Sequence, residues 1–364
     1  MPKNDNPRVL VAPLDWGLGH ATRCIPIINQ LILLGCTVYI VADKKNFSLL
    51  KKEFPQTVFL RYKGYEIAYS RQKKFLFLKL IFQLPKVILR VLLEKKWLKN
   101  IVKKYSIDAV ISDNRFGMHN KNIPSIYITH QLSVKTGNRF FDTIAQKIHY
   151  YFIRRFTTCW VPDFEKNGLA GELSHPKNLP ANSIYIGPLS RFTQVPDAEI
   201  LNDLLIIISG PEPQRTIFEK EILEQIKGFK QKIIFIRGLP SEDQKPGNFD
   251  GVKIENHVPG EELNKLMAES KIIISRSGYT TVMDLATSNK KAILIPTPGQ
   301  TEQEYLAEYL IEKKYFLTEN QEDFSIQDLL EKAKTFHFQE INFAKDGYKK
   351  IIMELVKSIK SDKF

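Results

Sequence analysis

The residues best suited to chemistry lie in two short stretches, Ser275-Arg276-Ser277-Gly278-Tyr279-Thr280-Thr281-Val282-Met283-Asp284 and Ile295-Pro296-Thr297-Pro298-Gly299-Gln300-Thr301-Glu302-Gln303-Glu304. Together they read as strand, small-residue turn, helix, strand and polar loop. The strand Ile272-Ile273-Ile274 delivers Ser277 and Gly278 to a helix start. The first amides of a helix have no partner within it, and its dipole is positive there. A diphosphate fits such a turn, with Tyr279 and Thr280 in the first helical residues. Asp284, farther along the helix, can accept from ribose hydroxyls, and Gln303 and Glu304 on the next loop can hydrogen-bond a sugar. Taken alone, the turn is also compatible with an ordinary α/β unit whose Ser and Gly only cap a helix.

A second constellation follows the first strand, in Asp15-Trp16-Gly17-Leu18-Gly19-His20-Ala21-Thr22-Arg23. Gly17 and Gly19 let the backbone turn tightly and approach a ligand. The stretch lacks the Gly-Lys-Ser/Thr of a Walker loop and the third glycine of the dinucleotide fingerprint. His20 titrates near neutral pH and can take a proton from an attacking hydroxyl. Asp113 ends another strand, in Ala109-Val110-Ile111-Ser112-Asp113-Asn114-Arg115. Parallel strands bring their carboxyl ends to one edge, so Asp113 can reach His20, fix its tautomer and stabilise the imidazolium. The alternatives are a histidine that only packs or caps and an aspartate that caps a turn. His130-Gln131 follows a further strand.

The elements that must position these residues alternate between short β-rich apolar runs and helical patterns, which predicts α/β architecture with parallel, doubly wound sheets. Strands are expected at Arg8–Ala12, Thr37–Val41, Val58–Leu60, Ala109–Ile111, Ser125–Ile128 and Cys159–Val161, and again at Leu204–Ser209, Lys232–Ile236, Val252–Ile254, Lys271–Ile274 and Ala292–Ile295. Helices are expected near Arg23–Leu34, Lys44–Lys52, Arg139–Arg155, Arg215–Gly228, Glu261–Ala268, Tyr279–Thr287 and Glu302–Glu312. A boundary without periodicity runs from Gly187-Pro188 to Pro196. The expected domains are therefore residues 1–190 and 200–340, with 341–364 a C-terminal helix able to cross back to the first.

A chain of 364 residues suits two domains. Three scattered cysteines, Cys24, Cys36 and Cys159, show no metal or redox spacing and fit a reducing cytoplasm. Neither a signal peptide nor an apolar run of spanning length is present in the sequence. The net charge of +13 is concentrated. Lys73 to Lys104 holds ten Lys or Arg and one acid, Glu94, interleaved with apolar residues at helical spacing and with a break expected near Pro85. Such a stretch suits an anionic membrane surface or a core-packed helix pair with a solvated lysine face. It has no stacking positions or reader motif for nucleic acid. No Asp-x-Asp occurs, so no metal and no other cofactor is expected.

The Ser277–Asp284 turn and the Gln303 loop resemble the donor-binding segment of GT-B glycosyltransferases, especially the lipid II N-acetylglucosaminyltransferase family, whose C-terminal domain is of glycosyltransferase family 28. There a Ser-Arg-x-Gly turn, an acid six positions after the glycine and a Gln-rich loop hold the nucleotide sugar. This chain has Asp284 where that family usually has Glu, and Gln303-Glu304 in place of a Gln pair. The resemblance implies two facing Rossmann-like domains with a cleft, an inverting transfer from a UDP-sugar to a hydroxyl, and an envelope or lipid-linked acceptor on the cytoplasmic face of the membrane. It implies phosphate contacts from Ser209, Gly210 and Arg215, which follow a strand as Ser209-Gly210-Pro211-Glu212-Pro213-Gln214-Arg215. It places Val258 at the uracil edge and makes His130 and Gln131 acceptor contacts. His20 and Asp113 are similar to the His–Asp pair of UDP-dependent enzymes acting on small acceptors. The string Gly17 to Cys24 also resembles UDP-sugar hydrolases of nonulosonate synthesis, and a non-catalytic nucleotide-sugar-binding subunit is a third alternative.

Overall fold

The computed structural model describes residues 6–15, 18–62, 64, 73–134, 139–240, 242, 251–341 and 347–361, without the side chains of 44–45, 73–85 and 139–141. Its contacts divide the chain into two units. One comprises Met1–Trp16, His20–Leu189 and Ala344–Phe364, and the other Gly17–Gly19 and Ser190–Phe343.

In the first unit the strands are β1 (Arg8–Ala12), β2 (Thr37–Val41), β3 (Val58–Leu60), β4 (Ala109–Asp113), β5 (Ser125–Ile128), β6 (Thr158–Val161) and β7 (Ser183–Tyr185). They form a seven-stranded sheet in the order β3-β2-β1-β4-β5-β6-β7, with every pair parallel. Val9, Leu10, Val11 and Ala12 are all fully buried. Alternate residues of a strand point to opposite faces, so both faces of this sheet are covered, as parallel sheets require. The helices are α1 (Leu18–Leu33), α2 (Lys44–Glu53), α3 (Lys73–Tyr105), α4 (Arg139–Ile153) and, from the far end of the chain, α10 (Gly347–Ser361).

The second unit repeats the plan with β8 (Asn202–Ile207), β9 (Ile233–Ile236), β10 (Val252–Glu255), β11 (Ser270–Arg276), β12 (Ala292–Ile295) and β13 (Leu317–Thr318), ordered β10-β9-β8-β11-β12-β13 and again parallel throughout. Its helices are α5 (Gln214–Gln225), α6 (Gly260–Ala268), α7 (Tyr279–Thr287), α8 (Thr301–Glu312) and α9 (Ile326–Thr335). One face of the sheet packs Ile206, Ile254, Ile274 and Ile293 against Phe218 and Ile222 of α5 and Leu329 of α9.

Each sheet reverses its strand order once, at β1/β4 and at β8/β11. Such a switch point leaves a crevice at the carboxyl ends of the strands, because the connections on its two sides leave in opposite directions.

Three expectations are corrected. The first helix begins at Leu18 rather than Arg23. Pro26, whose missing N–H would cost nothing only in the first turn, lies well inside α1. The expected break at Pro85 does not occur, since α3 is assigned continuously from Lys73 to Tyr105. Strands β7 and β13 and helix α9 were not foreseen. The two strands are only three and two residues long. Helix α9 does carry a start signal, since Ser325 caps it by accepting from the Asp328 amide at 3.3 Å.

Glu94 fastens α3 to the sheet. It accepts from Arg115 Nε at 2.6 Å and from the Gly117 amide at 3.0 Å, and both side chains are essentially fully buried. Glu94→Ala would remove the nearest counter-charge of the buried Arg115, leaving Asp15 Oδ2 at 3.8 Å. Urea unfolding is expected to show a loss of about 3–5 kcal/mol, against a change of under about 1 kcal/mol for Lys96→Ala on the exposed side of the same helix.

Candidate functional site

The first cluster stands at the β1/β4 switch point. The register pairs Ala12 with Ser112, so Asp113 closes β4 beside the loop that leaves β1 for α1. Because α1 starts at Leu18, His20 and Arg23 are three residues apart on one helical face. His20 keeps 17% side-chain exposure, whereas Asp113 is fully buried. His20 Nδ1 lies 3.2 Å from Asp113 Oδ2, so the structure brings the expected pair together.

The stronger partner of Asp113 is Arg23, which the sequence reading did not single out. Its Nε donates to Oδ2 at 2.6 Å and its Nη2 donates to Oδ1, a two-pronged clamp. The same Nη2 is 2.8 Å from His20 Nδ1, and Nη1 is 3.2 Å from His130 Nδ1. Cys24 Sγ donates to Asp113 Oδ2 at 3.8 Å. Burial alone would raise the Asp113 carboxyl, but Arg23 and His20 outweigh it and hold the group at about 2. Burial and the Arg23 charge push His20 below its ordinary value, and Asp113 only partly restores it. The imidazole is therefore uncharged at neutral pH, as a general base must be.

His130 follows β5 and is buried within this cluster. Gln131 is half-buried, and its amide donates to Thr129 Oγ1 at 3.1 Å. Gly19 lies in the first turn of α1, and Gly17 lies outside the described residues.

The second cluster stands at the β8/β11 switch point. Ser275 is paired with Ile207, so the chain beyond β11 and the chain beyond β8 emerge side by side. Gly278 is the N-cap of α7, and no side chain caps that helix end. Its φ of −68° is open to any residue, and a Cβ there would meet nothing closer than Gln303 Nε2 at 4.0 Å. Neither backbone strain nor crowding within the chain calls for glycine. Its effect is to leave the α7 amides uncovered, as close approach of an anion requires. Ser277 is buried and donates its hydroxyl to the Gln303 carbonyl at 2.9 Å. Tyr279 is buried and Thr280 half-buried in the first turn of α7. Ser209 and Gly210 follow β8, and the Gly210 φ of 119° is one that side chains rarely adopt. Val258 is buried in the loop between β10 and α6.

Several expected contacts are already engaged inside the unit. Arg215 is clamped by Glu212, 2.6 Å from its Nε, and by Glu219. Arg237 Nε donates to Glu219 at 2.6 Å. The Arg215 charge is thus matched before any ligand arrives. Gln303 Oε1 accepts from the Thr297 amide and Glu304 Oε1 from the Gly299 amide, both at 2.9 Å, so both side chains shape the β12–α8 loop. Arg276 is buried over the Phe218 ring and donates to the Pro296 carbonyl at 3.1 Å, a structural role. Asp284 accepts from the Ser190 hydroxyl at 2.6 Å. Burial raises its carboxyl to about 6, against the opposing pull of Arg191 and Ser190.

Residues 214–358 match the model of the glycosyltransferase family 28 C-terminal domain. The chain is 24% identical, over 69% of each sequence, to the UDP-N-acetylglucosamine–N-acetylmuramyl-(pentapeptide) pyrophosphoryl-undecaprenol N-acetylglucosamine transferase of Haemophilus ducreyi. Among solved structures it is similar to the kitacinnamycin glycotransferase, with a TM-score of 0.63 and 12% identity over 98% of this chain and 95% of that one. It is likewise similar to Acinetobacter baumannii MurG, with a TM-score of 0.51 and 15% identity over 98% and 95%. The fold is GT-B, and the resemblance drawn from the Ser277 turn and the Gln303 loop is borne out.

A carboxyl raised in the folded state holds its proton more tightly there than in the unfolded chain. Its contribution to stability is present at acid pH and is lost as pH rises from about 4 to about 6. Asp284→Asn keeps an acceptor for Ser190 and removes the cost of the buried charge. Denaturant titrations are expected to show the variant about 1–3 kcal/mol more stable than the parent at pH 7 and equal to it near pH 4.

Proposed function

We propose that this chain, a glycosyltransferase of the family 28 type with the GT-B fold, is an inverting, metal-independent enzyme. It moves a sugar, N-acetylglucosamine or a related hexose, from a UDP-sugar to a hydroxyl of an envelope or lipid-linked acceptor. The observations that carry this reading are one cluster at each switch point, a partly buried His20–Asp113 contact at the first and a helix end left open by Gly278 at the second. The acceptor oxygen attacks the anomeric carbon as the bond from that carbon to the UDP oxygen breaks. His20 takes the hydroxyl proton, and the leaving diphosphate carries away the bonding pair. With Arg215 matched by Glu212 and Glu219, the amides of the Ser277–Gly278 turn and of Tyr279 and Thr280 in the first turn of α7 are the principal stabilisers of that charge. Asp284 holds ribose in exchange for Ser190, Val258 borders the base, and Gln303 and Glu304 present the loop that meets the sugar. Hydrolysis of the UDP-sugar is a second reading, favoured by the place of Arg23 inside the site, since Arg23 completes the Gly17–Cys24 string shared with such hydrolases.

The membrane surface belongs to the same proposal, with the protein peripheral on the cytoplasmic face. On α3, Ile88, Leu89, Leu92 and Leu93 are exposed, while Val91 and Leu98 are buried. Val87 of α3 and Phe152 of α4 both pack against the small apolar cluster of Leu14 and Val91, and α4 exposes Ile144, Ile148 and Tyr151. Lys95 and Lys96 lie on α3, and Arg154 and Arg155 directly follow α4. An apolar patch among cations suits anionic lipid. Among the described residues no helix is long and apolar enough to cross a membrane. The part of the basic stretch from Lys73 to Pro85 lies outside the described side chains.

UDP release from UDP-N-acetylglucosamine is expected to require a bacterial lipid extract and to fall at least about 100-fold in His20→Ala. Equal release without extract would assign hydrolysis. UDP affinity without turnover would assign a binding subunit. Co-sedimentation with phosphatidylglycerol vesicles is expected at low salt, to weaken as salt rises, and to be lost in Leu92→Glu. Equal binding by that variant would remove the patch from the proposal.

A further inference from the structure

His20 Nδ1 faces two groups that ask opposite things of it. An arginine guanidinium has only donors, and an ionised carboxylate only accepts. Toward Arg23 Nη2, 2.8 Å away, the nitrogen must offer its lone pair. Toward Asp113 Oδ2, 3.2 Å away, it must carry a hydrogen. One nitrogen cannot do both. The shorter contact is the one to Arg23, and Asp113 already receives two bonds from that guanidinium. Among the described residues, the further titratable group that acts on the ring is His130, bound to Arg23 Nη1, while the Cys24 thiol donates to Asp113.

We propose that Arg23 is a positioning residue that holds His20 in its uncharged, Nε2-protonated form, so that the ring must exchange Arg23 for Asp113 before it can serve as a base. The inference rests on the reading of His20 as the general base. In the exchange Nε2 gives its hydrogen to water, and Nδ1 takes one from water and turns it toward Asp113 Oδ2. The charge of the ring does not change. Nε2 then has a free pair for the acceptor's proton, and the imidazolium that forms lies between an attracting carboxylate and a repelling guanidinium. Arg23 thus does two things that a bare His–Asp pair does not. It keeps the resting ring unarmed, and it opposes the accumulation of charge on it.

The wild-type full chain tests this without any substrate. A ring-nitrogen NMR spectrum, with His20 assigned by His20→Gln, is expected to show hydrogen on Nε2 and none on Nδ1. It should also show a titration midpoint below the usual imidazole value. Hydrogen on Nδ1, or a midpoint at or above that value, would overturn the proposal. In Arg23→Gln, checked for folding by circular dichroism, the midpoint should rise by about one unit or more, carrying the acid limb of kcat/KM with it. Arg23→Lys, which keeps the charge, should hold the midpoint low. A folded Arg23→Gln with an unmoved midpoint would also sink the idea, and if that variant does not fold, the wild-type spectrum decides alone. A spectrum as expected in a protein that turns over no nucleotide sugar would count against the transferase reading and leave Arg23 in its role.

Discussion

The constraint on which the rest depends is parallel strand register. Parallel strands can be joined only by crossovers, and every crossover leaves from the same edge of the sheet. Pairing Ala12 with Ser112 fixes where β4 ends relative to β1, and so fixes Asp113 beside the first turn of α1. Pairing Ser275 with Ile207 does the same for the Ser277 turn and the Ser209 loop. A slip of one residue in either ladder would turn every core side chain to the other face. The register is therefore held by the whole buried sheet, and the cluster at each sheet edge inherits its rigidity.

The two aspartates at these edges show how neighbours decide the state of one chemical group. Both are buried, and burial pushes both carboxyls toward the protonated form. Asp113 is clamped by a guanidinium and settles at about 2. Asp284 is opposed first by the Arg191 charge and then by the Ser190 hydroxyl at bonding distance, which together do not overcome burial, and settles at about 6. The first is a fixed negative charge around which Arg23 and His20 are arranged. The second is a carboxyl whose charge is cheap to remove and which gains from a ligand that supplies hydroxyl donors.

Strand positions and the Ser277–Asp284 turn were legible in the sequence, because buried parallel strands are short apolar runs and the turn between strand and helix is built from small residues. The Arg23 clamp was not, since seeing it required the helix to begin at Leu18. Pro26 stands inside that helix, and an internal proline is tolerated only where tertiary packing outweighs its cost, which sequence pattern cannot weigh. The self-engagement of Arg215, Gln303 and Glu304 was hidden for a different reason. Each has the right chemistry for a ligand, and whether that chemistry is spent within the protein depends on Glu219, Thr297 and Gly299, placed by tertiary or loop geometry. The α9 start, by contrast, was present as Ser325 three residues before Asp328, a cap signal that could have been used.

The composition of the first unit bears on how the protein is made. Ala344–Phe364 group with residues that precede Leu189. Ile352, Val356 and Ile359 of α10 are buried, and Gly347 meets the Ile186 carbonyl so closely that a Cβ would stand 3.0 Å from it. The second unit, apart from Gly17–Gly19, is one continuous stretch. During synthesis the chain therefore emits its first domain early but cannot close it until the last helix leaves the ribosome. The later-encoded domain has all of its strands in hand before then. The nascent first domain waits with an apolar strip open to solvent, so the order of completion reverses the order of translation.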